Sequence, residues 1–271
     1  VTNPLTETEN NTHTTTLKIL LVFNRLSDFK DKIYNSFLEE IDGKAKVDVY
    51  VQPISPQTAS HFDQVIREKV VDYDFVAIML HAVCLNEDIL KTLNSIPKEK
   101  LLILDKRNEF IRGEYACVYQ DFEQDILSVL QTAQPLVNKY KAINIVVDEP
   151  TNFSKGIANG IVQFSQENSL QYNIYTELKE DIVREKEAYL VLSEQYLVDI
   201  LKVCSKRNWS VGKNIGIISY NETPLKEVLF GGITVVTTDH EQLGRSAAAL
   251  ILSGKKEHIR NPFVFIQRNS L

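Results

Sequence analysis

From Leu17 onward, short apolar runs alternate with segments whose apolar residues recur at helical spacing. "LKILLVF" (17–23) is nearly continuous in apolar residues and reads as a buried strand, whereas "DFKDKIYNSFLEEI" (28–41) reads as an amphipathic helix. The pattern continues with strand 46–53, helix 60–71, strand 74–80, helix 86–96 and strands 100–105 and 116–120, then a long helix over 121–138. It restarts with strand 142–148, helix 153–168, strands 172–177 and 187–192, helix 194–208 and strand 214–220. Strands alternating with helices of this length predict βαβ units and parallel sheets covered on both faces. The restart predicts an α/β fold of two similar lobes, although no strong sequence repeat links them. A tail of strand 233–239, helix 240–254 and strand 261–267 is long enough to serve both.

The chain has 271 residues, 44% hydrophobic and 24% charged, which suits one large or two modest lobes of a soluble protein. Its net charge of −6, with no basic run longer than Lys255-Lys256, argues against nucleic-acid binding by this chain itself. If DNA is involved, another segment must hold it. Cys84, Cys117 and Cys204 show no CxxC spacing, so neither a disulfide framework nor a zinc site is expected, and a reducing cytosol fits. No apolar segment approaches the roughly 20 residues that span a bilayer. "VTNPLTETENNTHTTT" (1–16) is polar throughout and lacks a signal peptide's basic and apolar regions. It reads as a disordered lead-in, with a further segment expected upstream.

Ligands of open α/β sheets bind beyond the carboxyl ends of the strands. "YNETP" (220–224), directly after an apolar run, could be a solvated turn, a catalytic corner or a ligand-reading edge. Equivalent positions are Asn24-Arg25-Leu26-Ser27, with Phe29 close behind, then His81-Ala82, Asp105-Lys106-Arg107, Glu149 to Phe153, Ser193-Glu194-Gln195 and Tyr220-Asn221-Glu222. Convergent amides, hydroxyls, carboxylates and cations with one or two aromatics suit a small polyhydroxylated ligand. Each set also has a plainer reading: strand ends are polar in any α/β protein, and Ser193 can simply cap its helix. No phosphate-cradling loop, nucleophile elbow or metal-spaced His pair occurs, so no cofactor, metal or catalytic residue is expected. Asp105 and Glu194 could serve as acid and base, but nothing in the sequence brings them together. The glycines of "GIANG" (156–160) are explained by helix–sheet packing.

The tail "VGKNIGIISYNETPLKEVLFGGITVVTTDHEQLGRSAAALIL" resembles the end of the regulatory domain of the lactose, galactose and purine repressors, the LacI/GalR type. That pattern is a strand ending in glycine, an aromatic residue and two aspartates, then "LTTV", an acidic residue and "LG..A...L". "IQRNSL" (266–271) is similar to the family's finish, and "LLILDKRN" and "AYLVLSEQYLVDILKVCSKRNWSVGKNIGIISY" to its earlier strand ends. The likeness spans Leu17 to Leu271, strongest over the last third.

The resemblance implies a periplasmic-binding-protein-like, type I fold: two Rossmann-like lobes, three crossover segments and a ligand cleft between the lobes. The first lobe would be 17–136 plus 239–256, the second 137–238 plus 257–271. It implies effector contacts at Asn221, at Ser193, Glu194 and Gln195, and at Asp105 and Lys106 with Arg107 adjacent. Asn221 takes the place of the family's first aspartate, and two further positions depart from the pattern. Ile157 stands where the family carries an arginine, a role Arg25, Lys106 or Arg107 could fill, and Ser219 replaces the glycine before the aromatic residue.

"NRLSDFKDKIYNSF" resembles a branch of gut Bacteroidetes regulators in which this domain follows a GntR-type winged-helix DNA-binding domain. The implied protein is a cytoplasmic homodimeric transcription regulator responding to a monosaccharide or its phosphate, with DNA held upstream of Val1. The other implied reading is a periplasmic solute-binding protein of a sugar transporter.

Overall fold

The structure, a computed structural model, describes residues 16–24, 27–52, 59–80, 85–147 and 152–271. The first sheet contains β1 (Leu17–Phe23), β2 (Ala45–Val51), β3 (Phe75–Met79), β4 (Leu101–Asp105), β5 (Ala116–Tyr119) and β11 (His258–Arg260). Its order is β11-β5-β4-β3-β1-β2, with every neighbouring pair parallel. The second contains β6 (Ala142–Val146), β7 (Gln171–Tyr175), β8 (Ala188–Val191), β9 (Gly216–Tyr220), β10 (Thr234–Thr238) and β12 (Phe263–Ile266). Its order, β12-β10-β9-β8-β6-β7, repeats the first strand for strand, except that β12 runs antiparallel to β10. The expected pair of Rossmann-like lobes is therefore present.

The apolar runs explain the order. The last five residues of β1, and all of β6, β8, β9 and β10, are buried, because helices cover both faces of an interior parallel strand. The edge strands β2 and β7 are partly exposed and carry more polar side chains. Between the strands run α1 (Asp28–Ile41), α2 (Ala59–Val70), α3 (Glu87–Ser95), α4 (Phe122–Thr132), α5 (Gln134–Val137), α6 (Asn152–Glu167), α7 (Glu194–Arg207), α8 (Pro224–Val228) and α9 (His240–Ser253). Asn86, Asp121, Ser193 and Asp239 cap α3, α4, α7 and α9 by accepting from free first-turn N–H groups. The single helix expected over 121–138 breaks at Ala133, because Pro135 cannot supply the N–H that would carry α4 onward. Sequence periodicity also missed β11 and α8, which are three and five residues long.

The lobe boundaries need correction. α4 was expected in the first lobe, yet Ile126, Val129 and Leu130 pack with Ile143, Ile145 and Ile218 of the second sheet. Residues 257–260 were expected in the second lobe, yet β11 pairs with β5 in the first sheet. α9 returns to the first lobe, where Leu243, Ala247 and Ile251 pack with Ile33 and Phe37 of α1. The chain therefore crosses at 120–121, at 239 and at 261–262, and each crossing falls directly after a strand. Cys117 and Cys204 are packed in different cores, and burial pushes their thiols up to about 12 and about 11. Cys84 lies outside the described residues.

α9 packs tightly against α1 at Gly244, where a Cβ would collide with the Ile33 carbonyl oxygen and the Ser36 hydroxyl. Alanine is favoured over glycine in a helix by about 1 kcal/mol, but forcing a methyl into a filled contact costs about 1–3 kcal/mol. Collision with backbone makes the second effect dominate. Gly244→Ala is expected to lower stability by about 1–2 kcal/mol, measurable by urea unfolding; an unchanged or raised midpoint would show that α1 yields.

Candidate functional site

The loop after β4, the end of β5 and the first turn of α4 enclose a cleft of about 320 Å³ between the lobes. Lys106, Arg107 and Tyr119 line it from the first lobe, and Phe122, Glu123 and Gly156 from the second, with Gln120 and Asp121 at the crossing. Lys106 lies over the Phe122 ring at 5.6 Å and Arg107 over the Tyr119 ring at 5.0 Å, so both cations rest on aromatic faces. The acidic groups are engaged by protein donors. Asp121 caps α4 through the Gln124 N–H at 3.2 Å, and Glu123 accepts from Asn159 at 3.0 Å.

A file of rings runs inward from this cleft. Phe122 meets Phe153 edge-on at 5.0 Å, Phe153 meets Tyr220 edge-on at 5.1 Å, and Tyr220 meets Phe263 at 5.6 Å. Burial drives the Tyr220 hydroxyl far above its ordinary pKa, and the Asp105 and Asp125 carboxylates add to the shift. Asp105 of the first lobe thus acts electrostatically on the strand end that carries Asn221. Gly156 and Gly160 let α6 press onto α4, since a Cβ at Gly160 would strike the Glu123 carbonyl oxygen. The expected helix–sheet packing of these glycines is therefore helix–helix packing.

The remaining expected residues fall into further groups. Asn221 has φ 63°, a left-handed conformation that asparagine tolerates better than most residues. Its N–H donates to the Val236 carbonyl at 2.8 Å, and its own carbonyl accepts from Lys226 Nζ at 2.7 Å. Lys226 Nζ also donates to the Tyr220 carbonyl at 3.0 Å. Burial holds the Lys226 pKa below its usual value, opposed by the charges of Glu194 and Glu222. Glu222 faces Arg268 at 2.7 Å, an ionic contact without hydrogen-bond alignment. Ser193 caps α7 through the Tyr196 N–H, and Gln195 is held by Asp199 at 3.0 Å on an exposed helix face.

In the first lobe, Lys30 donates to Asn24, Ser27 begins α1, and Phe29 stacks on His240 with ring centres 5.0 Å apart. Arg25 and His81 lie outside the described residues. Ile157 faces the second core, fully buried, so it contributes packing where the resemblance led one to look for an arginine. The structure thus brings Lys106, Arg107 and Phe122 together, with Phe153 behind Phe122. It groups Glu194, Asn221 and Glu222 around Lys226. Sequence reasoning missed Tyr119, Gln120, Asp121, Phe122 and Lys226. Tyr119 ends β5 and the next three follow it, so the strand-end rule applied there would have found them; a buried lysine inside a short turn gives no such signal.

The three crossings are bonded to one another. The Asn261 N–H donates to the Tyr119 carbonyl at 2.8 Å and its side-chain amide to the Asp239 carbonyl at 3.0 Å, while the Asp239 N–H donates to the Pro262 carbonyl at 3.1 Å. Beside them, Arg260 of the first sheet bonds Asp125 of α4 at 2.6 Å. Both amide atoms of buried Gln120, one oxygen of Asp125 and the Asn261 amide oxygen have no hydrogen-bond partner among the described residues. Among those residues, no group of His, Cys, Asp or Glu is placed to hold a metal ion, and no helix is long and apolar enough to cross a membrane.

A family model described as a periplasmic binding protein-like domain matches residues 147–270. Among curated proteins, none matches the chain in sequence. The fold is similar to solved structures at low identity. A transcription-regulator-like protein from Staphylococcus haemolyticus matches at TM-score 0.73 and 14% identity over 94% of this chain and 98% of that one. A LacI-family transcriptional regulator from Enterococcus faecium, solved with bound ribose, matches at 0.70 and 14% over 93% and 98%. One from Weissella paramesenteroides, solved with bound glucose, matches at 0.72 and 15% over 94% and 98%. The architecture is a periplasmic-binding-protein-like, type I fold of two parallel-rich α/β lobes.

Asp125 is 2% exposed, and burial raises its pKa despite the Arg260 contact. Its ionised form therefore weighs against the folded state near neutral pH, and that penalty is relieved as pH falls through the raised pKa. Arg260→Met would leave the charge without its partner; since Arg260 is partly exposed, the loss is expected at about 1–3 kcal/mol, below that for a fully buried pair. The variant's Asp125 takes up its proton first on acidification, so the stability gap to wild type should narrow as pH falls. Denaturation at a series of pH values checks this; a gap constant with pH would show that Asp125 is not the group left behind.

Proposed function

We propose that this chain is the effector-sensing part of a transcription regulator, and that a monosaccharide or its phosphate binds between its lobes. The observation that carries the reading is the cleft itself, where two similar lobes joined by three bonded crossings meet across a mixed aromatic, cationic and amide lining. Such a lining suits a polyhydroxylated ligand. The ribose and glucose bound to structurally similar regulators support this ligand class. In this reading, Asn24, Arg25, Ser27, Phe29, His81, Asp105, Lys106, Arg107 and Phe153 contact the effector or frame its site, together with Ser193, Glu194, Gln195, Asn221 and Glu222. A transport-component reading has no specific observation in its favour.

DNA binding is assigned to a GntR-type winged-helix domain outside this chain, supported by the net charge of −6 and the lack of a basic run here. The regulator works in the cytoplasm as a homodimer. Exposed Leu225, Val228 and Phe230, clustered in six residues, support pairing through this region. Val228→Glu is expected to shift a dimer toward monomer in light scattering, and an unchanged mass would move the interface elsewhere.

Thermal unfolding with D-ribose, D-glucose, L-arabinose and L-fucose tests the ligand class, because binding to the folded state raises the melting temperature by mass action. At least one sugar is expected to raise it. A response only to nucleobases or amino acids would refute the sugar reading. Asn221→Gly then tests the site: glycine adopts the positive φ without strain, so only the side chain is lost. Affinity is expected to fall about tenfold, the effect of removing one or two net hydrogen bonds; titration calorimetry giving the wild-type value would remove Asn221 from the site.

A further inference from the structure

α8 is turned inside out. Its lysine is buried at 2% exposure, while Leu225 and Val228 on the same five-residue helix are 59% and 73% exposed. Hydrophobic burial therefore does not explain why Lys226 points inward, because two apolar neighbours were available for that place. The lysine stem passes under the turn, and its ammonium reaches the carbonyls of Tyr220 and Asn221, the two residues where β9 leaves the sheet. The Lys226 backbone joins the same assembly. Its N–H donates to the Thr223 carbonyl at 3.0 Å, and its carbonyl accepts from the Ile233 N–H at 2.7 Å.

No carboxylate lies within ion-pair distance of Lys226 among the described residues; Glu194 and Glu222 act on it only through their fields. A buried cation whose near partners are two successive carbonyls fixes a direction of the main chain. One of those carbonyls belongs to a residue at positive φ, where the backbone needs outside support to stay.

We propose that Lys226 is a positioning residue for ligand recognition, holding the Asn221 backbone so that its side-chain amide keeps a fixed aim. This rests on the reading that Asn221 contacts the effector. Lys226 itself need not touch the ligand. Its effect on binding passes through Asn221, so the two residues are coupled.

The test is a double-mutant cycle on the whole chain, using the sugar with the largest thermal shift among D-ribose, D-glucose, L-arabinose and L-fucose. Wild type, Lys226→Met, Asn221→Gly and the double variant are titrated by calorimetry at a temperature where circular dichroism shows each folded. Lys226→Met is expected to weaken binding about tenfold, a coupling typical of residues in direct contact, and to add nothing further in the Asn221→Gly background. Losses that multiply, or wild-type affinity in Lys226→Met, would overturn the inference and leave the sensing reading intact. If no sugar binds wild type, or Asn221→Gly binds normally, the underlying reading fails and this inference with it. Should Lys226→Met not fold, Lys226→Leu also removes the donor to the Tyr220 and Asn221 carbonyls, and the same cycle decides.

Discussion

Three chain crossings join the lobes, and Asn261 ties them into one unit. Its N–H holds the end of β5, its side-chain amide holds the carbonyl just before α9, and its own peptide leads into β12. It is almost wholly buried, so these bonds face little competition from water. Because the crossings are adjacent and mutually bonded, the lobes cannot slide independently past one another; rotation about the tied strands is the motion left to them. The Arg260–Asp125 contact sits beside that axis and joins opposite lobes.

The geometry of the cleft follows from this arrangement. Repeating one strand order in both lobes gives each a row of carboxyl strand ends, the places where ligands of such sheets bind. α4 leaves the crossing at once and is pressed onto α6 at Gly160, so Phe122 and Glu123 enter the cleft on a helix anchored in the second lobe. Lys106 and Arg107 enter from the first lobe and rest on aromatic faces. A cation over a ring face is held there by attraction to the ring's negative face.

Much of the fold was legible because interior strands of parallel sheets are continuous apolar runs, and α1, α6, α7 and α9 have clear helical spacing. The lobe boundaries were less so. Periodicity assigns a helix such as α4, but which sheet its apolar face meets is a tertiary fact, and Ile126 and Leu130 look alike in either lobe. Asp105, Lys106, Arg107 and Asn221 could be picked out as strand-end residues. The Ser193 cap of α7 could be read from its place before the helix, but that Glu222 faces Arg268 and that Lys226 turns inward depend on contacts 46 and 6 residues away. No local pattern encodes those contacts.

The last two strands carry a consequence for how the molecule is made. β11 completes the first sheet and β12 the second, with only residues 261–262 between them. So short a link makes the two sheet-completing strands form one directly after the other. It also means that neither lobe has all its strands until nearly the whole chain has been synthesised. The first sheet therefore cannot gain its last strand before β6 to β10 of the second have been made. During translation the first lobe must wait with the β5 edge unpaired, and both sheets are completed within the same few residues.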